Sequence, residues 1–252
     1  MSAIERERSG GGPDPMATRR RDALLVALTF TAGCVDGISY LGLGRVLTAN
    51  MTGNAVLLGL AIGQTEASRV VHSVTALLGF VLGVALGARV VGSGRDPITW
   101  SPRITLALAI ELAVLMAFAG TWAMAGRNPV GVALEGLIAM SAVAMGIQTA
   151  AARRCAVSGV STTYITGTLT GLMADLAALT GAPVDWRRLV SVLGALVAGA
   201  TVGGLAQSYF PAGAFAIPGA LLAFVVAAAA TGFRDEPTSE STPAPTSTSS
   251  DS

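Results

Sequence analysis

The sequence predicts an all-α polytopic membrane protein: six full transmembrane helices plus two re-entrant or broken helical segments, built as two internal repeats. Three observations carry this. Hydrophobic residues make up 52% of the 252 and charged residues only 12%, against about 25% charged in soluble domains. Apolar runs of about twenty residues recur, each long enough to cross about 30 Å of hydrocarbon. Two runs are interrupted by polar words, Thr48-Ala49-Asn50-Met51-Thr52-Gly53-Asn54 and Val160-Ser161-Thr162-Thr163-Tyr164, the second continuing into Thr166-Gly167-Thr168.

In chain order, residues 1–18 are a polar, Gly/Pro-rich tail expected to be disordered. Residues 19–233 form one integral membrane domain, with apolar segments at roughly 23–43, 46–64, 70–91, 104–125, 130–150, 157–180, 189–209 and 212–233. Residues 234–252 are a Ser/Thr/Pro-rich tail, also expected to be disordered. In the second segment Val46–Met51 reads as extended and only Thr52–Gly63 as helix. Twelve helical residues reach about 18 Å, little more than half the hydrocarbon core. The sixth segment is built alike, an extended piece followed by a helix over Thr166–Leu179.

The halves, about 23–125 and 130–233, can be laid over one another so that Thr52-Gly53-Asn54 falls on Thr166-Gly167-Thr168 and Gly79 falls on Gly194. Arginine carries the whole basic complement of 16, and cytoplasmic loops retain such residues. If the second and sixth segments dip in and return on one side, only Arg45, Arg69 and Arg127 lie outside the cytoplasm. Each half is then three spans long, and the two insert with opposite orientation, as in many transporters. Eight complete crossings with parallel repeats are the alternative. Arg19-Arg20-Arg21 followed by an apolar run to Cys34 imitates a lipoprotein leader, but the run continues to Leu43 and further spans follow. Cys34 and Cys155 have no metal or disulfide spacing and read as packing residues.

The words AGCVDGISYLGLG, TANMTGN, GIQTAAARR and TTYITGTLTG resemble the YoaK-like family of small bacterial multipass membrane proteins. The resemblance covers about residues 23–233. It implies a bacterial inner-membrane location and this number of spans, and supplies no substrate, because the family has no assigned biochemical function.

Candidate site residues follow from charge and polarity at membrane depth, where an Asp costs about 2.5–3.5 kcal/mol on insertion scales. Asp36 suits a proton or cation site, or else it pairs with Arg45 or caps the second segment. Asn50, Thr52, Gly53 and Asn54 sit where a half-helix begins, as do Thr166, Gly167 and Thr168 in the second half. The free N–H groups and positive dipole of such a start can bind a polar or anionic solute, or Asn50 and Thr52 simply cap their own helix. Gln148, the nearest counterpart of Asp36, contacts solute or makes one interhelical hydrogen bond. Glu111, Glu135 and Asp175 join Asp36 as proton-relay candidates, or tie helices together as buried acids. His72 reads as interfacial, and Trp100, Trp122 and Trp186 as interfacial anchors. The Gly79-Gly83-Gly87 and Gly199-Gly203 faces suit helix packing or a homo-oligomer.

No HExxH, GxSxG or P-loop motif is present. The expectation is a non-enzyme with no cofactor, no metal site and no nucleic-acid partner. Its favoured function is secondary transport or permeation of a small polar or anionic solute or ion, with proton coupling through Asp36. The alternative is a non-transporting membrane assembly or sensor component. Both termini are expected in the cytoplasm.

Overall fold

The computed structural model describes residues 15–92, 100–126, 129–155 and 186–232. Thr166, Gly167, Thr168 and Asp175, and with them the second polar run, lie outside the described residues. Seven helices occupy the described part: α1 (Pro15–Gly42), α2 (Met51–Gly63), α3 (Ala67–Val91), α4 (Pro102–Ala125), α5 (Val132–Cys155), α6 (Trp186–Tyr209) and α7 (Ala216–Gly232). Among the described residues there is no strand.

Five helices, α1, α3, α4, α5 and α6, are long and apolar enough to cross a membrane. The protein is a multi-pass membrane protein. The sixth expected span is shorter: α7 has 17 residues, about 26 Å at 1.5 Å per residue, because Phe210–Phe215 turn before it begins. The first helix starts earlier than the polar composition of residues 1–18 suggests, at Pro15.

Two tight helix pairs organise the bundle. Gly33 and Gly37 of α1 face Leu196, Ala200 and Gly204 of α6, while Gly199 and Gly203 of α6 face Phe30 and Cys34. The numbering climbs together, so α1 and α6 run parallel. Gly79, Gly83 and Gly87 of α3 likewise face Ala139, Ala142, Val143, Ile147 and Ala150 of α5, and Gly146 faces Phe80 and Val84. At most of these glycines a Cβ would strike the partner's backbone, so the absence of side chains sets the spacing, as in lipid-embedded helix pairs generally. The glycine faces that suit a homo-oligomer are thus occupied within one chain. Gly194, laid on Gly79 by sequence, would have nothing within 4 Å of an added Cβ among the described residues.

Between the pairs, α1 and α5 meet thinly and run in opposite directions. Gln148 Nε2 donates to the Leu28 carbonyl at 2.8 Å, whereas Ser39, late in α1, reaches Ser141, early in α5, through Thr48. It follows that α1 and α3 are also opposed, and that the segment joining them leaves and rejoins at one end of the bundle. At that end Arg45 and Arg69 lie. At the other are Arg19, Arg20, Arg21, Arg89, Arg103, Arg153, Arg154 and Arg187, and there Arg20 Nη1 donates to the Gly232 carbonyl at 2.9 Å, joining the start of α1 to the end of α7.

An aromatic knot holds α4 to the turn before α7: Phe215 lies 4.1 Å from Phe118 and 5.8 Å from Trp122 between ring centroids. Trp122 is buried there and is not an interfacial anchor. Trp100 is also buried and donates from Nε1 to Thr105 Oγ1 at 2.9 Å.

Candidate functional site

The polar word after α1 forms no regular structure from Val46 to Asn50. Gly44 and Arg45 adopt left-handed backbone, φ 74° and 63°, turning the chain back into the bundle. Backbone without helical or sheet partners is tolerated at membrane depth only where protein satisfies it. Here two side chains, Asp36 and Asn54, do so, and a third, Thr48, ties the segment to its neighbours. Asp36, six residues before the end of α1 (about 9 Å), accepts from the Ala49 N–H at 2.7 Å, and the N–H groups of Thr48 and Asn50 also face its carboxylate. Asn54, fully buried in the first turn of α2, accepts from the Leu47 N–H at 2.9 Å and donates to the Leu47 carbonyl. Thr48 Oγ1 lies 3.0 Å from Ser39 Oγ and 2.9 Å from Ser141 Oγ, a buried hydroxyl chain from α1 to α5.

Asn50 is the N-cap of α2, its Oδ1 accepting from the Gly53 N–H at 3.2 Å. Thr52 is exposed and does not share the site. A Cβ at Gly53 would press on the flexible end of the Leu47 side chain. Only Asn54 and Ala61 of α2 are buried, while Val56, Leu60 and Ile62 lie open on its outer face. Asp36 holds the broken segment and is not paired with Arg45, which is exposed. The half-helix start is capped from within its own chain.

The family model described as a protein of unknown function, DUF1275, matches residues 24–228. This chain belongs to that family. UPF0700 transmembrane protein YoaK of Bacillus subtilis (strain 168) is 44% identical to it over 161 residues, 64% of this chain and 69% of that protein. No solved structure matches.

In this DUF1275 protein the remaining candidates fall at separate places. Gln148 is buried and lines a cavity of about 30 Å³ with Thr29, Ala49, Met145 and Thr149, room for about two water-sized groups. Of the described residues predicted to bind solute it alone lines that cavity. Its Oε1 is buried without a hydrogen-bond partner among the described residues. Glu111, in the middle of α4, is fully buried, and among the described residues neither carboxyl oxygen has a partner. Glu135 is near the start of α5, and its Oε1 lies 3.2 Å from His72 Nε2. Asp36, Glu111 and Glu135 have no ion pair or hydrogen bond to one another among the described contacts.

Sequence reading missed three features. Ser39 and Ser141 complete the hydroxyl chain, and a signal existed for Ser39, three residues from Asp36 and so on one helical face. The His72–Glu135 contact joins residues 63 apart and left no local trace. The two-sided grip of Asn54 on Leu47 was hidden because Asn at a helix start reads first as a cap. Among the described residues no three His, Cys, Asp or Glu side chains are grouped to hold a metal ion.

Proposed function

We propose that this protein is a secondary transporter or permease of a small polar solute, working by movement of one helix pair against the other. The observation that carries this reading is the broken segment Val46–Asn50, held by Asp36 at the thin polar seam between two glycine-packed pairs. The pairs are related as inverted repeats in this reading. Residues 30, 33 and 34 of α1 stand to residues 199 and 203 of α6 as residues 143, 146 and 147 of α5 stand to residues 83 and 87 of α3. The same register sets Asp36 against Thr149, one residue beyond Gln148. α1 opposes α5, so the relation is an inversion, the arrangement that supports alternating access.

On this reading α2 is re-entrant, α7 completes six spans, and eight complete crossings are disfavoured because α1 and α3 run in opposite directions. The arginine-rich end and both termini face the cytoplasm of a bacterial inner membrane. Asp36, Glu111 and Glu135 remain the candidates for proton coupling. No catalytic step enters.

Purified protein in proteoliposomes tests the proposal: solute uptake above that of empty vesicles is expected, with slower uptake for Thr48→Val. An Asp36→Asn variant that stays folded and keeps the wild-type pH dependence of uptake removes Asp36 from coupling. A second reading, a non-transporting assembly component, is favoured by one observation: Asp36, Asn50 and Asn54 spend their hydrogen bonds on their own chain. Absence of flux for every solute class, with intact fold, selects that reading.

A further inference from the structure

We propose that residues 46–64, the broken segment and α2 together, swing as one unit and are the gate that closes the polar seam toward the end carrying Arg45 and Arg69. This rests on the transport reading above and names the part of the chain that moves.

The cavity beside Gln148 shows where the segment stands. Along α1 its wall ends at Ala32, about one turn before Asp36, and along α5 it begins at Met145, about one turn after Ser141. The cavity therefore lies on the arginine-rich side of the level at which the broken segment crosses the seam, tied to Asp36, Ser39 and Ser141. Of residues 46–50, Ala49 alone lines it, and the Ala49 N–H is the one that donates to Asp36 Oδ1 at 2.7 Å. A stretch of backbone, latched by a carboxylate and two hydroxyls, thus stands between the cavity and the arginine-poor end.

The rest of the unit is built to move. Of the thirteen residues of α2 only Asn54 and Ala61 are buried, and among the described helices α2 packs chiefly against α3. Both ends of the unit meet left-handed backbone: Gly44 and Arg45 before it, φ 74° and 63°, and Thr65 after it, φ 56°. Arg45 and Thr65 carry a Cβ, for which this region is sparsely populated, so the closed position holds strain at both ends that rotation out of the region releases. Residues at element ends that absorb backbone rotation are what hinged elements use. Asn54 bonds both the N–H and the carbonyl of Leu47, which fastens the extended piece to α2, so the two travel together.

The test is thiol accessibility in the full chain, with Ala49→Cys placed in a Cys34→Ala/Cys155→Ala background. Sealed vesicles of each orientation are exposed to a membrane-impermeant sulfonated methanethiosulfonate. From the arginine-poor side Ala49→Cys should react slowly. Adding Asp36→Ala, which removes the latch, should speed that reaction about tenfold or more. Adding Thr48→Val instead should speed it about threefold to fivefold, and this variant decides the matter if Asp36→Ala does not fold. Rapid reaction from that side with the latch intact overturns the proposal, as does a rate unmoved by the variants in monodisperse protein. Faster labelling from the arginine-rich side alone also overturns it, because the unit would then open the wrong end. Uptake of methylammonium, glycerol and nitrate is measured in the same vesicles. Uptake with an immobile unit sinks the gate and leaves transport standing, whereas a unit that opens without flux of any of the three keeps the hinged motion and counts against the transport reading.

Discussion

The glycine seams and the polar seam solve different problems with different chemistry. Along α1/α6 and α3/α5, backbones approach so closely that a methyl group at Gly33, Gly83, Gly146 or Gly203 would strike a carbonyl or amide of the neighbour. Nothing polar is needed there, and the contact area is fixed by shape. Along α1/α5 the chains touch through a few hydrogen bonds: Gln148 to Leu28, and Ser39 to Thr48 to Ser141. Such bonds can be exchanged for others at little cost, whereas a glycine seam can only be kept or lost. The difference teaches where the molecule is rigid and where it can shift.

The largest expected effect comes from filling a rigid seam. Gly146→Val should prevent folding, because overpacking costs about 1–3 kcal/mol even where side chains yield and here it meets backbone. A monodisperse, thermally stable Gly146→Val protein on size exclusion would falsify the shape-locked description of α3/α5. Next is Asp36→Ala, which strips the acceptor from the broken segment. With each buried N–H left bare costing about 1–3 kcal/mol, the melting temperature in detergent should fall well below that of Asp36→Asn, which keeps one acceptor oxygen. Equal melting temperatures for the two would mean that Asp36 is not what holds residues 48–50.

Asn54→Leu should come third, about 1–3 kcal/mol, because both the N–H and the C=O of Leu47 lose their partner. Limited proteolysis between Arg45 and Met51 in detergent is the sensitive readout, with faster cleavage expected. Thr48→Val should cost less, about 0.6–1 kcal/mol, the size measured for hydroxyl bonds within membranes. If it proves as damaging as Asp36→Ala, the polar seam is as rigid as the glycine seams and the contrast collapses. Smallest of all is Glu111→Met. Glu111 makes no bond that the substitution would break, so stability should hold or rise slightly. A large loss there would reveal a partner for Glu111 beyond the described residues.

Much of this was legible residue by residue, and the reasons are local. The apolar spans announce themselves through composition and length. The start of α2 at Met51, one residue from Thr52, follows from the run of β-branched and polar residues that cannot begin a helix sooner. That Asn50 caps it follows from the ordinary chemistry of Asn at such a position. Gly79 and Gly194, laid together by sequence, have different surroundings among the described residues, because small residues match anywhere, whereas Gly83 and Gly199 each meet a neighbour's backbone. Trp122 misled for a similar reason: an aromatic near a span end is usually interfacial, but Phe215 folds back over this one. The link from His72 to Glu135 depends on two helices that no short-range pattern connects.

By itself the sequence determined the apolar, multi-pass character, the five long apolar helices and the break after α1, because hydrophobic length and β-branched or polar interruptions act within a few residues. Which helices pair, which glycines touch backbone, and that Asp36 turns to the amides of Thr48–Asn50 instead of to Arg45 were decided by tertiary structure alone. Those outcomes depend on which surfaces meet across the bundle, and a one-dimensional pattern does not contain that distance.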